Sequence, residues 1–282
     1  STQGYSSAAS DVYKRQMDNR PIGVFDSGLG GLTAVRRLRQ ILPDENIIYF
    51  GDTGRMPYGG RPREQMRTIA RQNITFAESF DVKVILAACG TISSNAPDII
   101  AANATKTIGV LLPGAERLAA TGRKELGVIA TKTSIESGAF QLSISRFAPD
   151  AKITAAACPD FVPMIESGHY LPDDPMVQRI VAQSLEPLKD VGALLLGCTH
   201  YGLIADAISA YLGPDTILVG AADASAETTA RYLRDCGMLA SQGGSESYYT
   251  SGSTADFETL APIMLGYGLK SAVNHVEPFA LD

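Results

Sequence analysis

The stretch IGVFDSGLGGLTAVRRLRQILPDENIIYFGD, residues 22–52, decides the fold class. It opens on one apolar run, IGVF (22–25), and closes on another, NIIYF (46–50). Both are apolar nearly throughout, as strands buried on both faces are. Between them Leu32, Val35, Leu38 and Leu42 fall on one helical stripe, while Arg36, Arg37 and Gln40 face away. Pro43 ends that helix, because its ring cannot continue the turn. Strand, helix and strand in that order is the repeating unit of a parallel sheet.

Working outward, the alternation continues. Further strands are predicted at VKVILAA (82–88), TIGVLL (107–112), LGVIA (126–130), ITAAA (153–157), GALLLG (192–197) and TILVG (216–220). Two weaker ones follow at SYYTSG (247–252) and KSAVNH (270–275). Ten strands exceed one small sheet, so the expected fold is α/β: two pseudo-symmetric parallel-sheet domains with the active site in the cleft between them. Residues 17–110 plus 221–282 are assigned to the first domain and 111–220 to the second. VILAACGT (84–91) and ALLLGCTH (193–200) form a faint internal repeat, each an apolar strand running into a small residue, a cysteine and a threonine. Residues 1–16, STQGYSSAASDVYKRQ, are set aside as a tag or disordered leader, with Met17 as the expected natural start.

Composition excludes several classes. The 282 residues carry 24 Lys and Arg against 30 Asp and Glu, a net charge of −6. That balance argues against a nucleic-acid grip, which needs clustered cations. No apolar run approaches the ~20 residues that span a bilayer. Four cysteines in a chain this long are no disulfide framework and read as reduced thiols. A soluble, cytoplasmic protein with no membrane or nucleic-acid partner is the expectation.

In an open parallel sheet, ligands bind beyond the carboxyl ends of the strands. Those ends read Asp26-Ser27-Gly28, Gly51-Asp52-Thr53, Cys89-Gly90-Thr91, Thr131-Lys132-Thr133 and Cys198-Thr199-His200. DSGLGGLTAV matches the dinucleotide fingerprint only in part, since Thr33 stands at its third glycine position. The paired thiols are more specific. Cys89 and Cys198 each precede a predicted helix, whose N-terminus is expected to lower a thiol's pKa. Facing each other across one cleft, they form a two-base set: one thiolate takes a proton from a carbon, and the opposite thiol returns one to the other face. Asp26 and His200 lie at the same edge to tune their protonation. Cys158 and Cys236 are read as structural.

The strings IGVFDSGLGGLTAVRRL, YFGDTGRMPYGGR, AACGT, GVIATKTSIESGAF, CPDFVPMIESG and LLLGCTHYGLI occur in that order. The chain so resembles the glutamate racemases of the aspartate/glutamate racemase superfamily, from about Ile22 to Phe279. The resemblance implies a cofactor-independent enzyme, without metal, that interconverts L- and D-glutamate for peptidoglycan synthesis, as a homodimer. It assigns Cys89 and Cys198 as the catalytic thiols, Asp26 and His200 as the side chains assisting them, and Glu166 as an acid near the site. It assigns substrate binding to Asp26, Ser27, Pro57, Tyr58, Gly59, Gly90, Thr91, Thr199 and His200.

Three departures from the family pattern stand out. Gly90 replaces a common asparagine, Lys132 and Thr133 stand where an acid and a glycine are usual, and Gly202 takes the place of a proline. The alternatives are a racemase of another acidic amino acid such as aspartate, and a non-catalytic dicarboxylate-binding relative.

Overall fold

A computed structural model describes residues 17–277, so the expected leader at 1–16 lies outside the described residues. Among the described residues there are ten strands: β1 (Ile22–Asp26), β2 (Ile47–Gly51), β3 (Val84–Ala87), β4 (Thr107–Gly109), β5 (Glu125–Ala130), β6 (Lys152–Ala157), β7 (Ala193–Leu196), β8 (Ile217–Gly220), β9 (Glu246–Thr250) and β10 (Val273–His275). They form two sheets, ordered β10-β9-β2-β1-β3-β4 and β6-β5-β7-β8. Every pairing is parallel. The fold is the expected two-sheet α/β architecture. Several strands are shorter than expected, β3 and β10 among them, and TIGVLL stops at Gly109, because Leu111 already opens the helix Leu111–Ala119, which leaves Leu112 half exposed.

The strands at the middle of each sheet are buried on both faces, as their unbroken apolar character requires. In the helix Leu32–Ile41, Leu32, Val35 and Leu38 are fully buried, which places the predicted stripe against the sheet. One apolar cluster runs through both halves, joining Val24, Leu38 and Tyr49 to Phe161, Val177 and Tyr201. The helix Ala221–Asp235, which follows β8, packs against both Leu32–Ile41 and Leu111–Ala119. Its Glu227 pairs with Arg37 at 2.7 Å and also with Arg117. Among the described residues no helix is long and apolar enough to cross a membrane.

Register decides where chemistry gathers. β1 pairs with β2 and β3 so that Asp26 lies opposite Gly51, one step beyond the Phe25–Ala87 pair. In the second sheet Ala130 lies opposite Ala157, and Ile129 opposite Leu196. Asp26, Cys89, Thr131, Cys158 and Cys198 therefore leave their sheets at carboxyl ends, where ligands of open parallel sheets bind.

Candidate active site

These ends enclose one cavity of about 640 Å³, lined from both sheets. All of the sequence-predicted site residues line it: Asp26, Ser27, Pro57, Tyr58, Gly59, Cys89, Gly90, Thr91, Glu166, Cys198, Thr199 and His200. The structure adds Thr131, Lys132 and Cys158 to the lining. Thr131 and Lys132 were legible as a strand end; Cys158, read as structural, is buried and also faces the cavity. All four cysteines are free.

Cys89 caps the buried helix Gly90–Asn95. Burial pushes its thiol pKa up, and the neighbouring Asp26 carboxylate pushes it further, against hydrogen bonds from the Ile92 N–H and from Ser27. The expectation that a helix N-terminus lowers this thiol is corrected: a helix of six residues cannot offset complete desolvation beside a carboxylate. Asp26 itself is raised by burial, opposed by the charge of His200. Its Oδ2 accepts the Gly31 N–H at 2.8 Å, which anchors the carboxylate to the start of the first helix.

Cys198 sits differently. It leads into a 3-10 turn, Thr199–Ile204, rather than an α-helix. Its Sγ lies 3.8 Å from His200 Nδ1, and His200 Nε2 lies 3.0 Å from Glu166 Oε1. Burial alone would lower the imidazole's pKa. Hydrogen bonds to Cys198 and Glu166, with the charges of Cys198 and Asp26, instead raise it to about 10. One thiol thus lies beside a carboxylate and the other beside an imidazolium.

The glycines of DSGLGGLTAV serve packing. A Cβ at Gly30 would lie 2.3 Å from Thr199 Oγ1 and 2.4 Å from His200 Nδ1. The partial nucleotide fingerprint is the recess that admits the histidine from the other half of the molecule. Asp52 makes no capping bond to the turn it precedes. Fully buried, it accepts from Arg55 and from Ser251 Oγ, both at 2.6 Å, and from the Tyr58 hydroxyl. This network fixes the segment Pro57–Tyr58–Gly59 on the cavity wall.

Across the cavity mouth the Gly60 N–H donates to Thr133 Oγ1 at 2.7 Å, and the Thr91 and Thr131 hydroxyls lie 3.2 Å apart. The rim also carries Lys132, largely exposed and 3.7 Å from Glu136. Among the described residues no cluster of His, Cys, Asp or Glu has an arrangement suited to a metal. The lining hydroxyls, backbone N–H groups and one lysine can hold carboxylates, while two thiols in unlike surroundings can exchange a proton with what is held.

No family model matches the chain. Individual proteins do. Glutamate racemase 2 of Caldanaerobacter subterraneus subsp. tengcongensis is 38% identical over 258 residues, covering 89% of this chain and 95% of the relative. The crystal structure of glutamate racemase from Thermus thermophilus, in complex with beta-chloro-D-alanine, superposes with a TM-score of 0.83 at 39% identity, covering 92% of this chain and 98% of that one. The Francisella tularensis subsp. tularensis glutamate racemase, in complex with D-glutamate, gives 0.84 at 35% identity, covering 94% and 99%.

Proposed function

The chain belongs to the glutamate racemase family, and from that premise we propose that it interconverts L- and D-glutamate by proton transfer between two thiols, Cys89 and Cys198. The observation that carries this reading is their placement. Each lies two residues beyond a strand of its own sheet, both line one cavity, and their partners differ in charge. In the direction these surroundings favour, Cys198, beside the imidazolium of His200, acts as the thiolate. It takes the α-hydrogen as a proton and leaves the electron pair on the substrate. Cys89, whose burial beside Asp26 keeps its proton on sulfur, donates it to the opposite face. The roles then stand exchanged for the reverse reaction.

A thiolate is too weak a base to ionise an amino acid's α-carbon unaided. Positioning and preorganised donors must stabilise the developing carbanion by several kcal/mol, on the order of an oxyanion hole. Thr91, Thr131 and Thr199 are among the lining hydroxyls that can serve this. Lys132 at the rim supplies the charge an acidic substrate would meet first. We assign residues 17–110 with 221–282 to one domain and 111–220 to the other, so that substrate is held between them. Kinship with the family also supports a cytoplasmic homodimer whose D-glutamate feeds peptidoglycan.

The test uses Cys89→Ala and Cys198→Ala. Each should lose racemisation by about 10³-fold or more while still binding D-glutamate in a calorimetric titration. Turnover surviving in either variant contradicts the two-thiol reading. Turnover of aspartate alone by the unsubstituted chain moves the substrate and keeps the chemistry.

A further inference from the structure

We propose that Gly90 is a positioning residue that sets the separation of the two thiol-bearing loops. Lacking a side chain, it lets the loops of this chain close nearer than the asparagine common in the family would allow, and Cys89 and Cys198 work at that spacing. The proposal rests on the two-thiol reading above. Gly90 follows Cys89 directly. A Cβ built there would lie 2.2 Å from the carbonyl oxygen of Gly197, the residue before Cys198, and 3.8 Å from the Cys198 Cα. The neighbours of Gly90 are thus the backbone of the opposing thiol loop, at a spacing that no side chain permits.

Neither wall can retreat locally. Behind Gly197 stands β5: the Gly197 N–H donates to the Ile129 carbonyl at 2.8 Å, and a Cβ on Gly197 would itself meet that oxygen at 2.8 Å. Behind Gly90 the whole turn Gly90–Asn95 is buried. Its backbone is tied by Ser94 Oγ donating to Gly90 O at 2.8 Å and by Asn95 Nδ2 donating to Thr91 O at 2.9 Å. Ser93 Oγ meanwhile receives the Val110 N–H at 3.1 Å. Restoring an ordinary contact from 2.2 Å therefore moves the two loops apart by about 1 Å as bodies. The adjoining hydroxyl contact of Thr91 with Thr131, at 3.2 Å, would part with them.

The departure from the common asparagine has a physical consequence. Here residue 90 contributes closeness in place of an amide, and hydroxyls are left to hold the carboxylate.

The experiment compares Gly90→Ala with Gly202→Ala, since Gly202 is exposed and has open space where its Cβ would stand. Glutamate racemisation and α-deuterium exchange are followed in deuterated water, and the crystal structure of Gly90→Ala is determined. A misplacement of about 1 Å costs on the order of 10²-fold in rate, so racemisation by Gly90→Ala should fall about 100-fold while Gly202→Ala keeps wild-type rates.

Exchange without inversion should become appreciable beside inversion, because with the other thiol out of reach one thiol removes the α-hydrogen as a proton, trades it for a solvent deuteron and returns that deuteron to the same face. The ratio of exchange to inversion should rise at least tenfold, which general loss of structure would not produce. The crystal structure should show residue 90 and the Gly197 oxygen about 1 Å further apart. An alanine seated with the thiol loops unmoved overturns the proposal, as do exchange and inversion falling together or wild-type racemisation by Gly90→Ala. An unfolded Gly90→Ala overturns it too, since parting the loops should leave both sheets intact. If the wild-type chain proves silent on glutamate, the function reading falls, and the structural comparison still decides on Gly90.

Discussion

Glu166→Gln isolates the device that keeps a cation beside Cys198. The His200 side chain is 4% exposed and its Nε2 lies 3.0 Å from Glu166 Oε1. Burial by itself would lower the imidazole's pKa, yet the bonds to Cys198 and Glu166 and the charges of Cys198 and Asp26 carry it from 6.5 to about 10. An opposite charge in such contact is worth roughly 1–3 pH units. Glutamine keeps an acceptor and removes the charge, so the lower end applies, and His200 should titrate near about 9.

The assay is the pH profile of kcat/KM for each glutamate enantiomer, followed by circular dichroism. The alkaline limb should move down by about one pH unit in Glu166→Gln. Stability should follow the same sign. A group raised on folding contributes stability that is complete below its ordinary value, here 6.5, and lost as pH rises through about 10. The variant's loss should be finished earlier, near about 9. An alkaline limb unchanged by the substitution would refute the role given to Glu166.

Three further outcomes are expected. Asp52→Asn strips the carboxylate from the buried Arg55–Tyr58–Ser251 network and should cost about 3 kcal/mol in chemical denaturation; kcat should fall as well, because the Pro57–Gly59 wall loosens. Lys132→Ala should raise KM for glutamate about threefold at low salt with kcat unchanged, and the difference should vanish in about 0.5 M salt, as for any exposed charge. Thr199→Val should lower kcat by about 10²-fold, the scale of one lost oxyanion-type donor, and an unaltered kcat would remove Thr199 from the pocket's chemistry.

Much of this was legible from strand ends alone. A parallel sheet sends its ligand-facing residues to one edge, so locating apolar runs also located Asp26, Cys89, Thr131 and Cys198. Periodicity could not place Glu166: its partner His200 lies 34 residues away, and only the family resemblance pointed to it. The thiol electrostatics were misread at Cys89, because a capping position is visible in sequence while complete burial beside Asp26 is a tertiary fact. The glycines after Asp26 were ambiguous for the same reason. A nucleotide and an incoming histidine both require bare backbone, and only the packing of His200 against Gly30 distinguishes them. Leu111 and Leu112 extended an apparent strand because a buried strand and a helix start share apolar residues over so short a run.

The central claim is that two thiols act on opposite faces of one carbon. Its most direct measurement is the early time course of L-glutamate, and separately D-glutamate, with the purified chain in deuterated water without added cofactor. Two bases predict loss of optical activity from either side, with deuterium at the α-carbon of the newly formed enantiomer while unreacted substrate keeps its hydrogen. Deuterium entering substrate as fast as product, or no loss of optical activity from folded and reduced protein, would contradict it.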